Sequence, residues 1–170
     1  MNSIFIREPQ LSDEHPFLDT MQRSQGLHSP WVVAPLTTDE FQSYILRCQL
    51  PNNKNLLALD EAHIIGVFNL SEIVRGAFQN AYLGFYGSID YQGRGMMSAA
   101  MKLVLEYAFV ELKLHRIEAN IQPGNLKSIN LVKKNGFREE GYSPRYLKIN
   151  DVWCDHLRFA MTYEDWENVS

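Results

Sequence analysis

Cysteine is scarce in this chain. Only Cys48 and Cys154 occur; they lie far apart and form no CxxC pair. With no secretory leader pattern at the N-terminus, both are expected as reduced thiols of a cytoplasmic protein. They share no ligand spacing with the five histidines, so no metal centre is expected. No apolar run approaches the roughly 18 residues that a membrane helix needs, so no membrane partner is expected either. Basic charge is also short: 16 Lys and Arg against 20 Asp and Glu give a net charge of −4. That balance leaves no broad surface for direct nucleic-acid contact. Repeats, low-complexity tracts and linker-like composition shifts are missing. What remains is 170 residues, 45% of them hydrophobic, which suits one domain spanning residues 1–170, as a monomer or homodimer.

The pattern of elements is mixed. Ile4–Arg7 reads as a short strand ended by Pro9, and Ser12 as the cap of a helix that finishes before Gly26. His28–Pro35, with two prolines and Trp31, reads as an irregular loop, and Thr38-Asp39-Glu40 opens a second helix. Asn55–Leu59, Ile64–Val74 and Ala81–Ile89 read as consecutive antiparallel strands. A helix follows from about Met96 to Leu112, with Ser98, Lys102, Glu106 and Lys113 along its polar side. Arg116–Gln122 is a strand and Leu126–Asn135 a helix, with Asn125 as N-cap and Gly136 past its end. Two strands close the chain, near Phe137–Leu147 and Val152–Thr162. The order β-α-α-β-β-β-α-β-α-β-β predicts an α/β fold with a mixed, mostly antiparallel sheet flanked by helices.

Between the fourth strand and the third helix stands Tyr91-Gln-Gly-Arg-Gly-Met-Met97. A glycine loop opening a helix is a phosphate site in waiting, because free N–H groups and the positive end of the helix dipole meet there. No GxxxxGK[ST] run exists, which removes the Walker loop. Gly93-Arg-Gly95 lacks the third glycine of a dinucleotide fingerprint, and the preceding strand belongs to an antiparallel run rather than a parallel βαβ unit. The helix that follows carries no acidic residue before Glu106, so its positive end is uncompensated.

Gln92-Gly-Arg-Gly95-Met-Met97 resembles the pyrophosphate loop of the GNAT acetyltransferases, except that Met97 stands where a small residue is usual. The resemblance runs along most of the chain. Ile64–Gly76, Tyr82–Phe85, Leu114–Ile117, Asn125–Ser128, Lys134–Tyr142, Trp153–His156 and Asp165-Trp166 are similar to ribosomal-protein-alanine N-acetyltransferases of the RimJ type. It implies a GNAT fold, acetyl-CoA (and coenzyme A as product) as the cofactor, and the N-terminus of a ribosomal protein as substrate partner. The alternatives are a small amine (amino acid, polyamine or antibiotic) as substrate, or a weakly catalytic acetyl-CoA-binding factor in ribosome assembly.

The resemblance also implies site residues. Gln92, Gly93, Arg94, Gly95, Met96 and Met97 would hold the pyrophosphate through backbone amides. Phe85, Tyr86 and Gly87 would line the pantetheine arm on a strand that splays from its neighbour, and Asn125 would reach the same arm while capping its helix. Many family members protonate the departing thiolate with a tyrosine on this helix; matching places Val132 there, so the acid is expected in Ser128, with Tyr146 as second candidate. Glu118 is the candidate base, with Asn120 on the same strand face; an ion pair is the alternative reading of Glu118. Trp31, Asn69, Ser71, Arg75 and Asn120 are the expected substrate contacts, although Arg75-Gly76 also reads as a plain turn. The α-amine reading carries a magnitude. A chain-terminal amine with a pKa of ~7.8 is ~15% neutral at pH 7, whereas a lysine of pKa ~10.4 is only ~0.04% neutral.

Overall fold

A computed structural model describes residues 4–170. The elements are β1 (Ile4–Arg7), α1 (Glu14–Arg23), α2 (Gln25–His28), α3 (Thr38–Cys48), β2 (Lys54–Asp60), β3 (His63–Val74) and β4 (Asn80–Gly87). Then come α4 (Met96–Glu106), β5 (Arg116–Ile121), α5 (Leu126–Lys134), β6 (Arg138–Ile149), β7 (Val152–Thr162) and α6 (Tyr163–Val169). The seven strands form one sheet in the order β1-β2-β3-β4-β5-β7-β6. Every neighbouring pair is antiparallel except β4 and β5. The mixed, mostly antiparallel sheet expected from the sequence is therefore present.

Strand side chains alternate between faces, and each face buries its own core. Leu56, Phe68, Leu70, Ala81, Leu83, Ile117 and Ala119 pack on α4 and α5 through Met101, Val104, Ile129 and Val132. On the other face Leu57, Leu59 and Val67 meet Phe17, Met21, Phe41 and Tyr44 of α1 and α3. Each large side chain buried this way contributes about 1.5–3 kcal/mol. α3 begins at a capping box: Thr37 Oγ1 accepts from the Glu40 amide, while the Glu40 carboxylate accepts from the Thr37 amide.

Several local expectations are corrected. Ser12 caps nothing. A 3₁₀ turn, Leu11–Asp13, leads into α1, and Asp13 reaches back to the Gln10 amide at 2.7 Å while Arg7 grips its carboxylate. Gly26 lies inside the short α2 rather than past a helix end, and His28 ends that helix instead of opening a loop. α4 gives way at Tyr107 to a π-helical turn, Tyr107–Glu111. Ser98, placed on the polar side of this helix, is buried and accepts from Asn135 Nδ2 at 3.1 Å. Finally, α6 was not expected. Thr162 ends β7 and at once caps α6, its hydroxyl accepting from the Asp165 amide while Asp165 accepts from the Thr162 amide.

Candidate active site

β4 and β5 run parallel but pair only over Asn80–Tyr82 and Arg116–Glu118. Beyond that point the strands part, and Leu83–Gly87 keep ladder partners on the β3 side alone. A backbone edge of this kind must find partners elsewhere, and an extended ligand with amides of its own supplies them. The side chains here are already committed. Phe85 stacks on Phe68 with centroids 6.1 Å apart, whereas Tyr86 turns to the opposite face, its ring 5.2 Å from His28. The His28 ring is buried and its Nε2 lies 2.7 Å from the Gly87 carbonyl oxygen, so in the neutral ring Nε2 carries the proton and donates it. Burial pushes the His28 pKa down, which keeps that ring neutral and the end of β4 tied in place. What this edge offers a ligand is thus the backbone of Phe85, Tyr86 and Gly87.

The chain then turns through Ile89–Tyr91 into the glycine loop. Gly93 and Gly95 sit at φ of +76° and +74°, and Gly95 is the N-cap residue of α4. A Cβ at either position would meet nothing within 4 Å, so the requirement for glycine is conformational, not steric. The first helical bond runs from the Ala99 amide to the Gly95 carbonyl. The amides of Gln92 and Arg94 are used in turns at 3.3 Å, which leaves Gly93, Gly95, Met96 and Met97 as the loop donors without a backbone partner. No acidic residue and no capping side chain occupies the first turn of α4. The one acid close by in sequence, Asp90, is bound by Arg23 at 2.6 Å, and Arg94 lies over the Tyr91 ring. A diphosphate fits this helix end, where donors and dipole are both unfilled.

Met97 has a physical explanation. Gly66 and Gly87 face each other in the β3–β4 ladder, and the Met97 side chain lies over both. The strands supply the room that a small residue on the helix would otherwise provide. A Cβ on Gly66 would stand 2.4 Å from Met97 Sδ and 3.0 Å from the Tyr86 carbonyl oxygen. Gly66→Ala is therefore expected to cost about 1–3 kcal/mol, as overpacking does. Adding Met97→Ala should recover part of that loss in denaturant unfolding; full additivity of the two would mean that Met97 is not the obstacle.

On the face opposite α4, a cleft of about 410 Å³ opens where β4 and β5 part. Ser71, Glu72, Tyr82, Leu83, Gly84, Asn120, Tyr146 and Leu147 line it. Three residues expected from the sequence, Ser71, Asn120 and Tyr146, thus meet from three strands. Asn120 Oδ1 is buried without a hydrogen-bond partner, an acceptor whose desolvation is unrelieved until a donor enters. Tyr82 was not foreseen, although its alternation with Gly84 along β4 is a readable signal. Burial first, and then the neighbouring Tyr146 and Glu118, push its pKa up, so the phenol is neutral across the physiological range. Glu72 was not foreseen either; it sits at φ 49° in a β3 irregularity between Ser71 and Val74.

Tyr146 owes its place to a bulge in β6. Ser143 pairs with His156 and Leu147 with Cys154, so residues 144–146 face the single residue Asp155. Pro144 has no N–H to give to the ladder, and Arg145 is left-handed at φ 48°. The Arg145 amide donates to Asp155 Oδ1 at 2.7 Å, and the Tyr142 hydroxyl donates to Asp155 Oδ2. The Tyr146 ring then packs edge-on to His156, with the Arg158 guanidinium over its face.

Other expected residues lie outside this cleft. Glu118 is 5% exposed and its Oε1 is bound by Arg116 at 2.8 Å, so the ion-pair reading holds and no free base stands there. Arg75 reaches the Leu112 carbonyl at 2.6 Å and pins the β3–β4 hairpin to the end of the α4 extension. Asn69 accepts from Asn55 Nδ2 at 2.7 Å beneath α3, although its neighbour Ser71 lines the cleft. Trp31 seats its ring on Gly124, and its carbonyl accepts from Gln122 Nε2, which places it at the β5–α5 turn. Asn125 Oδ1 accepts from the Ser128 amide at 3.3 Å, so capping is present; Ser128 is half-buried in the first turn of α5 and does not line the cleft. Val132 is fully buried. Burial pushes the Cys48 thiol up to about 11, which leaves it a poor nucleophile. Among the described residues no three His, Cys, Asp or Glu side chains group as a metal would require, and no helix is long and apolar enough to cross a membrane.

The chain is similar to known proteins in sequence and in fold. The family model described as an acetyltransferase (GNAT) domain matches residues 3–138. A probable N-acetyltransferase of Bacillus subtilis (strain 168), YjcK, is 42% identical over 112 residues, 66% of this chain and 62% of that protein. The [ribosomal protein uS5]-alanine N-acetyltransferase of Escherichia coli (strain K12) is 42% identical over 107 residues, 63% of this chain and 55% of that protein. The chain thus aligns with somewhat more than half the length of these relatives. Among solved structures, the ribosomal-protein-S5-alanine acetyltransferase of Vibrio fischeri superposes with a TM-score of 0.84 at 27% identity, covering 96% of this chain and 94% of that one. Mycobacterium smegmatis RimJ in complex with CoA-disulfide gives a TM-score of 0.88 at 25% identity, covering 95% and 83%. With a parted strand pair, a left-handed glycine loop and a family match over most of its length, the chain belongs to the GNAT acetyltransferase domain family.

Proposed function

We propose that this chain is an acetyl-CoA-dependent N-acetyltransferase acting on the α-amine of a protein N-terminus, an N-terminal alanine of a ribosomal protein, in the cytoplasm. The observation that carries the reading is the meeting of two openings at Leu83 and Gly84. The parted β4–β5 edge and the unfilled helix end of α4 suit the coenzyme, and the cleft on the other face suits the amine. Of the cleft residues only Glu72 carries a charge, which suits a chain-terminal amine better than a polycation. The similar Escherichia coli protein is a [ribosomal protein uS5]-alanine N-acetyltransferase, which supports the finer statement.

Acetyl-CoA supplies the activated acetyl thioester. Asn120 Oδ1 accepts from the incoming amine and aims its lone pair at the acetyl carbon. A carbon–nitrogen bond forms as the carbon–sulfur bond breaks, with backbone N–H groups of β4 at the carbonyl oxygen. The amine gives its proton to water, since ~15% of chain-terminal amines are already neutral at pH 7 and need no strong base. Tyr146, the hydroxyl at the parted strands, returns a proton to the thiolate. Asn125 and Ser128 hold the coenzyme from α5.

Steady-state assays with Ala-initiated peptides, amine-blocked peptides carrying lysine, and spermidine test the reading. Acetylation is expected at the α-amine, located by mass spectrometry. Preference for spermidine or for the lysine side chain would overturn it.

A further inference from the structure

We infer that Asp155 is a positioning residue for the reaction, acting through the β6 bulge to hold the Tyr146 hydroxyl at the cleft. The inference rests on the proposed role of Tyr146 and adds a residue that touches neither substrate nor coenzyme.

The bulge is unstable by its own chemistry. Three residues of β6 stand against one of β7, so the ladder cannot pair their amides and carbonyls in the ordinary way. Pro144 brings no donor. Arg145 adopts a left-handed conformation, φ 48°, which a residue with a side chain takes only under strain. The Asp155 carboxylate compensates for that from across the ladder. One oxygen accepts the Arg145 amide at 2.7 Å, and the other accepts the Tyr142 hydroxyl from the near side of the bulge. A carboxylate accepting from a backbone N–H and a phenol forms strong, charge-assisted bonds. These two bonds hold the Asp155 carboxyl below the usual carboxylate range, so it is ionised wherever the reaction runs.

Tyr146 follows Arg145 directly. Once the Arg145 backbone is held, the Tyr146 Cα–Cβ bond has one direction, toward the cleft that it shares with Tyr82 and Asn120. The flanking β7 residues narrow the ring further: His156, whose Nδ1 donates to the Cys154 carbonyl at 2.9 Å, meets it edge-on, and Arg158 lies over its face. Asp155, His156 and Arg158 thus form a cradle on one strand for a tyrosine on the next, with Asp155 fixing the backbone and the other two the ring.

The test is a set of kinetic constants on the full chain with an Ala-initiated peptide. Asp155→Ala is expected to lower kcat by about 10–100-fold, the loss that follows misplacement of a reacting group by an ångström or so. The peptide KM and the affinity for acetyl-CoA should stay within about threefold, because Asp155 lines neither the cleft nor the glycine loop. Asp155→Asn, which keeps an acceptor for the Arg145 amide, should restore most of kcat. In a Tyr146→Phe background, Asp155→Ala should change kcat by no more than about threefold, the signature of two residues acting as one unit. A full, additive loss in that background would overturn the inference, as would an Asp155→Ala enzyme with normal kcat. If Tyr146→Phe alone left turnover intact, the donor assignment and this inference would fall together, and a loss in Asp155→Ala would then be structural. Thermal melting of each variant separates unfolding from mispositioning: a loss of kcat that tracks a fall in Tm, and that Asp155→Asn does not rescue, also counts against it.

Discussion

Tyr146→Phe should lower kcat by about 10²–10⁴-fold, the usual contribution of a positioned proton donor, with the peptide KM nearly unchanged. The substitution deletes one oxygen and keeps the ring, so the contacts with His156 and Arg158 survive and the bulge held by Asp155 has no reason to move. Tyr146 is the tyrosine whose position depends on a dedicated backbone feature, and it lines the cleft at the parted strands. Its neighbour Tyr82 provides a control on the same cleft. If Tyr146→Phe keeps turnover within about threefold while Ser128→Ala loses it by the margin above, the proton comes from α5 and the assignments exchange. Steady-state kinetics with both variants decides between them.

Replacing Gly93 and Gly95 together with valine should weaken acetyl-CoA binding by on the order of 10²-fold or more. Both glycines lie in the left-handed region, where a residue with a side chain costs about 1–3 kcal/mol and a β-branched one the most. Without ligand the substituted loop relaxes out of this conformation and binding must restore it; each 1.4 kcal/mol is about tenfold in affinity, so two such positions account for the loss. In the relaxed loop the amides of Gly93, Gly95, Met96 and Met97 also turn from the phosphates, so any binding that skips the restoration is weaker still. Because a Cβ at either site meets open space, the folded core has no reason to suffer. The expected pattern is a nearly normal Tm without ligand, together with loss of the rise in Tm that acetyl-CoA brings. A double variant that is still stabilised by acetyl-CoA as the parent is would remove the loop from the coenzyme site.

The parts legible in the sequence were the local ones. The glycine loop is read from two residues and a helix start, because left-handed backbone and an acid-free first turn are properties of neighbours in the chain. The strand and helix order followed from periodicity. α6 was missed although Thr162 and Asp165 show the spacing of a capping box; the strand reading of Val152–Thr162 claimed Thr162 first, and one residue serves both elements. Asn69 and Ser71 were expected to meet one ligand because they share a strand face. α3 covers that face at Asn69, where Asn55 and Tyr44 surround it, and leaves Ser71 at the cleft. Glu118 and Arg116 lie two apart on one face of β5, and burial made them partners rather than leaving a base.

The sequence by itself determined the α/β order, the left-handed glycine loop with its acid-free helix start, and the kinship with GNAT acetyltransferases. Each is written in short-range pattern. Tertiary structure alone decided which hydroxyls line the cleft, that Glu118 is paired with Arg116, and how Met97 is accommodated. Gly66 and Gly87 lie on different strands and come together only in the ladder. The bulge that sets three residues of β6 against one of β7 breaks the two-residue period, so the direction of Tyr146 cannot be counted along the strand. It is set across the strand, by the carboxylate of Asp155.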